Sequence, residues 1–132
     1  HSQLWIKHIP GTELMNDDNP IVRFIDGNAI IYGSPWSGKT PCYRNSSVPV
    51  GGIVRLSQAK TNLWNYVSGA IAWVTIFPSC SLISRDEVLY LQSQNTLNRV
   101  VSEVKVGQLA CLPDKDAVVL CFNKLTNEGN FI

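Results

Sequence analysis

A chain of 132 residues, 45% hydrophobic and 16% charged, is sized for one domain with a real core, and its composition excludes a disordered segment. The formal net charge of +1 gives no electrostatic argument for a nucleic-acid partner or an anionic membrane, and no apolar run reaches transmembrane length, Ala70–Phe77 being far too short. The four cysteines, at 42, 80, 111 and 121, have neither C-x-x-C spacing nor patterned histidine partners, so metal-site and disulfide-framework readings are weak and reduced thiols in a cytoplasm fit best.

In chain order, Leu4, Trp5, His8 and Ile9 share one face of a short helix that Pro10-Gly11 stops. The chain opens at His1 inside this helix, with no initiator Met and no signal sequence, as a fragment would. Glu13-Leu14-Met15 reads as a short buried strand that delivers Asn16-Asp17-Asp18-Asn19 to its C-terminal end, where α/β folds put ligands. Two readings stand for Asp17 and Asp18. One is a solvated Asx-rich turn before Pro20. The other is a Mg²⁺ and general-base pair, with hard oxygen ligands for a phosphate-bound metal and a second carboxylate to take a proton from a hydroxyl.

A hairpin follows, Ile21–Ile25 and Ala29–Tyr32 around Asp26-Gly27-Asn28. Its second strand feeds Gly33-Ser34-Pro35-Trp36-Ser37-Gly38-Lys39-Thr40, which fits the phosphate-cradling pattern G-x-x-x-x-G-K-[ST]. A working loop of that kind needs a helix starting at the Lys-Thr pair. The continuation, Pro41 to Pro49, has two prolines and no apolar helical stripe. A glycine-rich, substrate-facing loop between two strands is therefore favoured over a nucleotide P-loop. With Asp17-Asp18 it is expected on one edge of one sheet, and Val50–Leu56 should form the next strand.

Leu63, Tyr66, Val67, Ala70, Ile71, Val74 and Phe77 recur at three and four, predicting one amphipathic helix ended by Pro78, with Trp64 and Trp73 filling core. Ser84-Arg85-Asp86-Glu87 has capping-box form and opens a second helix, with Leu89, Tyr90, Leu97, Val100, Val101 and Val104 as its stripe. Val106–Cys111 should be a strand. Pro113-Asp114 should start a last helix through Leu125, although a strand at 118–122 fits the periodicity too, and 126–132 reads as a loose tail.

Several of these motifs, in this order, resemble the HPr kinase/phosphoenolpyruvate carboxykinase superfamily, and its small bacterial HPr kinase-related members in particular. Glu13 to Asp18 is similar to the family's apolar strand ending in Asp-Asp, and Tyr32 to Lys39 to the Gly-Thr-Pro-Trp-Ser-Gly loop of the smaller relatives. Pro49–Leu56, Ser68-Gly69-Ala70, Pro78-Ser79-Cys80 and Leu112-Pro113-Asp114 with Ala117-Val118 resemble later elements. The resemblance covers residues 1–125 and implies a partial α/β fold, a mixed β-sheet with flanking helices.

It also implies an ATP-dependent phosphotransferase acting on a serine hydroxyl of a peptide or protein, or on a small hydroxylated molecule. Mg²⁺ and ATP are the implied cofactors, with the ATP site expected to be incomplete in this chain; oligomers are possible, and carboxykinase chemistry is a lesser alternative. Asp17 and Asp18 match the family's acidic pair for metal binding and proton abstraction. Gly33, Pro35, Trp36 and Gly38 match its second loop, Lys39 and Arg44 are candidates for neutralising phosphate from charge and position, and Ser34 and Thr40 join them as cofactor-binding candidates on the loop. His1–Trp5 looks like the helix just past the family's Walker A loop, so the resemblance implies a kinase-like domain given without that first loop. Two other functions stay open: a non-catalytic binding or regulatory domain on the same scaffold, and a nucleotide binder using Gly33–Thr40 itself.

Overall fold

The computed structural model describes residues 1–36, 38, 44–81 and 85–126. It is a mixed α/β structure in which four α-helices accompany two three-stranded sheets. A single sheet was expected; the strands divide instead into an antiparallel set and a mixed set.

Helix α1 spans Ser2–His8 and ends as Ile9 turns extended, its N–H closing on the Trp5 carbonyl. The first sheet is β1 (Ile21–Ile25), β2 (Asn28–Tyr32) and β3 (Ser47–Pro49), antiparallel in that order. Ile25 pairs with Asn28, so the hairpin turn is the two residues Asp26-Gly27. Both have positive φ (50° and 81°), the geometry whose twist matches paired strands.

The second sheet has the order β4-β6-β5, with β4 (Ile53–Gln58) parallel and β5 (Leu63–Val67) antiparallel to the central β6 (Val106–Cys111). The strand predicted at 50–56 thus begins at Ile53 and runs two residues further. On one face, Trp64, Leu109 and Cys111 pack with Ala117 and Cys121 of α4 (Lys115–Thr126) to make the core, and Trp5 of α1 joins them. Trp5 meets Phe122 of α4 edge-on at 6.0 Å.

The helix predicted over 63–77 is a strand followed by a shorter helix. Leu63-Trp64-Asn65-Tyr66-Val67 pairs with β6, as aromatic and β-branched residues favour, and Gly69 (φ +58°) turns the chain into α2 (Gly69–Ile76). The three-and-four spacing ran across two elements that merely abut. A 3₁₀ turn at Phe77–Ser79 ends the segment, where Trp73 stacks on Phe77 at 4.5 Å. α2 is apolar all round; Ala72 and Thr75 are buried, while Ile71 and Val74 are each 60% exposed.

α3 spans Glu87–Glu103 and crosses both α2 and the β1–β2 hairpin. Its N-cap is Asp86, whose carboxylate accepts the Val88 and Leu89 amides; the expected cap, Ser84, lies outside the described residues. Leu97 and Val100 are buried as predicted, whereas Leu89 is largely exposed. Asp114 caps α4 by accepting from the Ala117 amide, and the Asn62 side chain holds Asp114 and the Leu112 amide. At the far end, Tyr66 Oη donates to the Lys124 carbonyl (2.6 Å) and Lys105 Nζ to the Leu125 carbonyl (3.1 Å). The predicted tail beyond 126 lies outside the described residues. Among the described residues no helix is long and apolar enough to cross a membrane.

Candidate functional site

The acidic segment and the glycine loop come together, but not along a strand edge. Leu14-Met15 lies in an irregular stretch, so the strand predicted at 13–15 is absent. Two consecutive apolar residues make a short run for a strand, and directly after them the Asn16 Oδ1 atom accepts from the Asp18 and Asn19 amides, both at 2.8 Å, folding the chain into an Asx turn.

The loop leaves the first sheet at Tyr32, and its return strand β3 pairs with β2. Gly33 donates its amide to the Ser46 carbonyl at 3.0 Å, and a β-carbon on Gly33 would collide with the Arg44 carbonyl. Only glycine allows that backbone approach. Ser34 is 5% exposed, with its Oγ between the Trp36 amide and carbonyl (3.4 and 3.5 Å). Trp36 is 54% exposed.

Contacts between described residues join the two segments. Asn16 Nδ2 donates to the Trp36 carbonyl (2.7 Å) and the Ser34 Oγ (3.2 Å). The Gly38 amide donates to Asp17 Oδ1 at 2.7 Å, a short charge-assisted bond. Arg44 Nη1 meets Glu13 Oε1 at 3.3 Å.

The predicted site residues therefore divide. Gly38 meets Asp17, Ser34 and Trp36 are joined to the turn through Asn16, and Gly33 sits at the loop's base against Ser46 and Arg44, while Asp18 is exposed on the Asx turn. Arg44 stands at the loop's return, engaged by Glu13. Lys39 and Thr40, and with them the question of a helix starting there, lie outside the described residues. Sequence reasoning missed Asn16 and Glu13. An Asx-turn signature at Asn16 was legible from Asn-Asp-Asp-Asn-Pro, but nothing in the chain signalled its reach to a residue 20 positions away.

Among the described residues no cluster of three or more His, Cys, Asp or Glu side chains is placed to hold a metal. Two carboxylates suit Mg²⁺ that takes its other ligands from phosphate and water, and do not suit a metal caged by protein alone. A separate open groove of about 470 Å³ between α2 and α3, lined by Gly69, Ala70, Trp73, Asn98, Val101 and Ser102, contains none of the predicted residues. No protein-family model, no curated protein and no solved structure matches the chain.

Proposed function

We propose that the chain is a phosphotransferase-type domain of the HPr kinase-related kind, carrying the acidic pair and second loop of an ATP- and Mg²⁺-dependent site whose acceptor is a hydroxyl. One observation carries this reading: the Gly38 amide bonds to Asp17, which puts an acidic pair and a glycine-rich loop from separate segments on one surface. An isolated solvated turn would not need the loop. The free thiols of Cys80, Cys111 and Cys121 accord with a reducing, cytoplasmic setting.

In this reading Mg²⁺·ATP, when bound, supplies the transferable phosphoryl group. Asp18, exposed at the turn, is the carboxylate open to a metal or to the proton of an approaching hydroxyl. Asp17 anchors the loop through Gly38, and Trp36 on the same loop is exposed. Arg44 would have to exchange Glu13 for phosphate; both partners are well exposed, so the exchange costs little.

A second reading is a non-catalytic binding domain, favoured by the same bond seen differently. The Gly38 amide is already satisfied by Asp17 and needs no phosphate.

The test uses Mn²⁺ in place of Mg²⁺, because it takes the same oxygen ligands and broadens nearby NMR signals. Adding Mn²⁺ without nucleotide to the chain should broaden the amides of Asn16, Asp18, Ser34 and Gly38, and Asp17→Asn with Asp18→Asn should abolish this. Broadening spread equally over Asp86, Glu103 and Asp116, or unchanged in the double variant, would overturn the proposal.

A further inference from the structure

We infer that Asn16 is a positioning residue of this site: its single carboxamide sets where Asp17 and Asp18 stand against Ser34, Trp36 and Gly38. The functional meaning of this rests on the phosphotransferase reading; the geometry stands without it.

A carboxamide has one oxygen with two lone pairs and one nitrogen with two donors. At Asn16 the oxygen takes the Asp18 and Asn19 amides, and the nitrogen gives to the Trp36 carbonyl and the Ser34 Oγ. That fills its capacity. The orientation is fixed as well, because only an acceptor can face two backbone N–H groups and only a donor can face a carbonyl. One half of the group shapes the turn that carries the acids, and the other half pins that turn to the loop.

Two other links between described residues do less. The Glu13–Arg44 pair is 72% and 49% exposed in its side chains, where ion pairs contribute little. The Asp17–Gly38 bond orients one carboxylate but leaves Asp18, the next residue, free to turn away. Asn16 reaches instead a fixed point, the buried Ser34, whose hydroxyl is held by the Trp36 backbone. Sequence order places Asn16 directly before the pair, so any rotation of the turn moves both acids together.

Two substitutions separate the roles. Asn16→Asp is nearly isosteric and keeps an oxygen for the turn, but it loses the donors and sets a carboxylate against the Trp36 carbonyl. Asn16→Ser keeps a short acceptor for the turn and cannot span to Trp36. In the full 132-residue chain, amide exchange at Gly38 should quicken about tenfold or more in both variants, as in Asp17→Asn. The melting temperature should move by only about a few degrees. With Mn²⁺, broadening should persist at the Asp18 amide and fall at Gly38 in both variants, a split that loss of stability alone would not produce.

Gly38 protection unchanged in both Asn16 variants, and lost in Asp17→Asn, would overturn the inference. A measurement without substitution keeps it exposed to failure should the variants not fold. In the unaltered chain the Asn16 carboxamide protons should exchange more slowly than those of exposed Asn19, and equal rates would also overturn it. If Mn²⁺ broadens nothing in the unaltered chain, the phosphotransferase reading falls while Gly38 exchange still decides the placement by Asn16.

Discussion

The indole of Trp64 on β5 occupies the space that a β-carbon on Gly107 of β6 would fill. Gly107 pairs with Tyr66, two residues along the same strand, and Trp64 stands edge-on to Tyr66 at 5.3 Å and 82°. The ring therefore lies across the neighbouring strand at its one residue without a side chain. Gly107→Ala should cost about 1–3 kcal/mol by overpacking. The cost should shrink when Trp64 is also Leu, because the pair is coupled through contact. Gly51→Ala, with nothing within 4 Å of the new atom, should change stability by about 0.5 kcal/mol or less. Denaturant unfolding of the four variants checks this; equal costs for Gly107→Ala with and without Trp64 would defeat it.

Gly33 and Gly38 should respond differently to alanine. At Gly33 the obstacle is backbone, the Arg44 carbonyl, so β2 and the chain entering β3 must move apart; a loss of about 1–3 kcal/mol is expected. At Gly38 the new atom meets the Asp17 carboxylate and carbonyl at 3.3 Å, where a few tenths of an ångström suffice. That variant should keep its unfolding midpoint while its residue-38 amide loses protection. A larger stability loss at 38 than at 33 would contradict the account.

Asp86→Ala should destabilise by about 1 kcal/mol, since it strips the cap from the Val88 and Leu89 amides at the start of α3. Asp86→Asn should retain most of that stability, because an amide oxygen still accepts. Thermal unfolding followed by circular dichroism distinguishes them, and an unaffected Asp86→Ala would show that the cap contributes nothing.

Burial pushes the Cys121 thiol up to about 11, and Cys111 beside it adds to the rise; burial also raises Cys80. A thiol harder to ionise when folded binds its proton longer than in the unfolded chain. Its contribution to stability is therefore intact below the ordinary value of 9.0 and is lost as pH climbs towards 11. Against Cys121→Ala, the unaltered chain should hold its full advantage at about pH 8 and a smaller one at about pH 10.5. A difference constant across that range would refute the assignment.

What could be read from the chain was what local chemistry decides. Asp26-Gly27 announced its hairpin because two positive φ angles demand such residues. Val106–Cys111 and the helix after Asp114 were legible because burial and capping are written within a few positions. Leu63–Val67 was not: its apolar spacing continues into α2, and only pairing with β6, about forty residues later, makes it a strand. Asp17 and the loop were named as candidates, yet the Asn16 bridge between them is a long-range hydrogen bond with no periodic signature.

The two side chains that dock the end of α4 have a consequence for how that helix is indexed. Tyr66 and Lys105 grip the carbonyls of Lys124 and Leu125, groups that repeat along every helix but are unsatisfied only in the last turn. A helix seated by greasy contact alone could slip, exchanging one methyl for another at little loss. This one is keyed like a bolt in a lock: a one-residue slide would turn it by about 100° and swing Ala117, Val118 and Cys121 off the sheet, while both donors lost their seats.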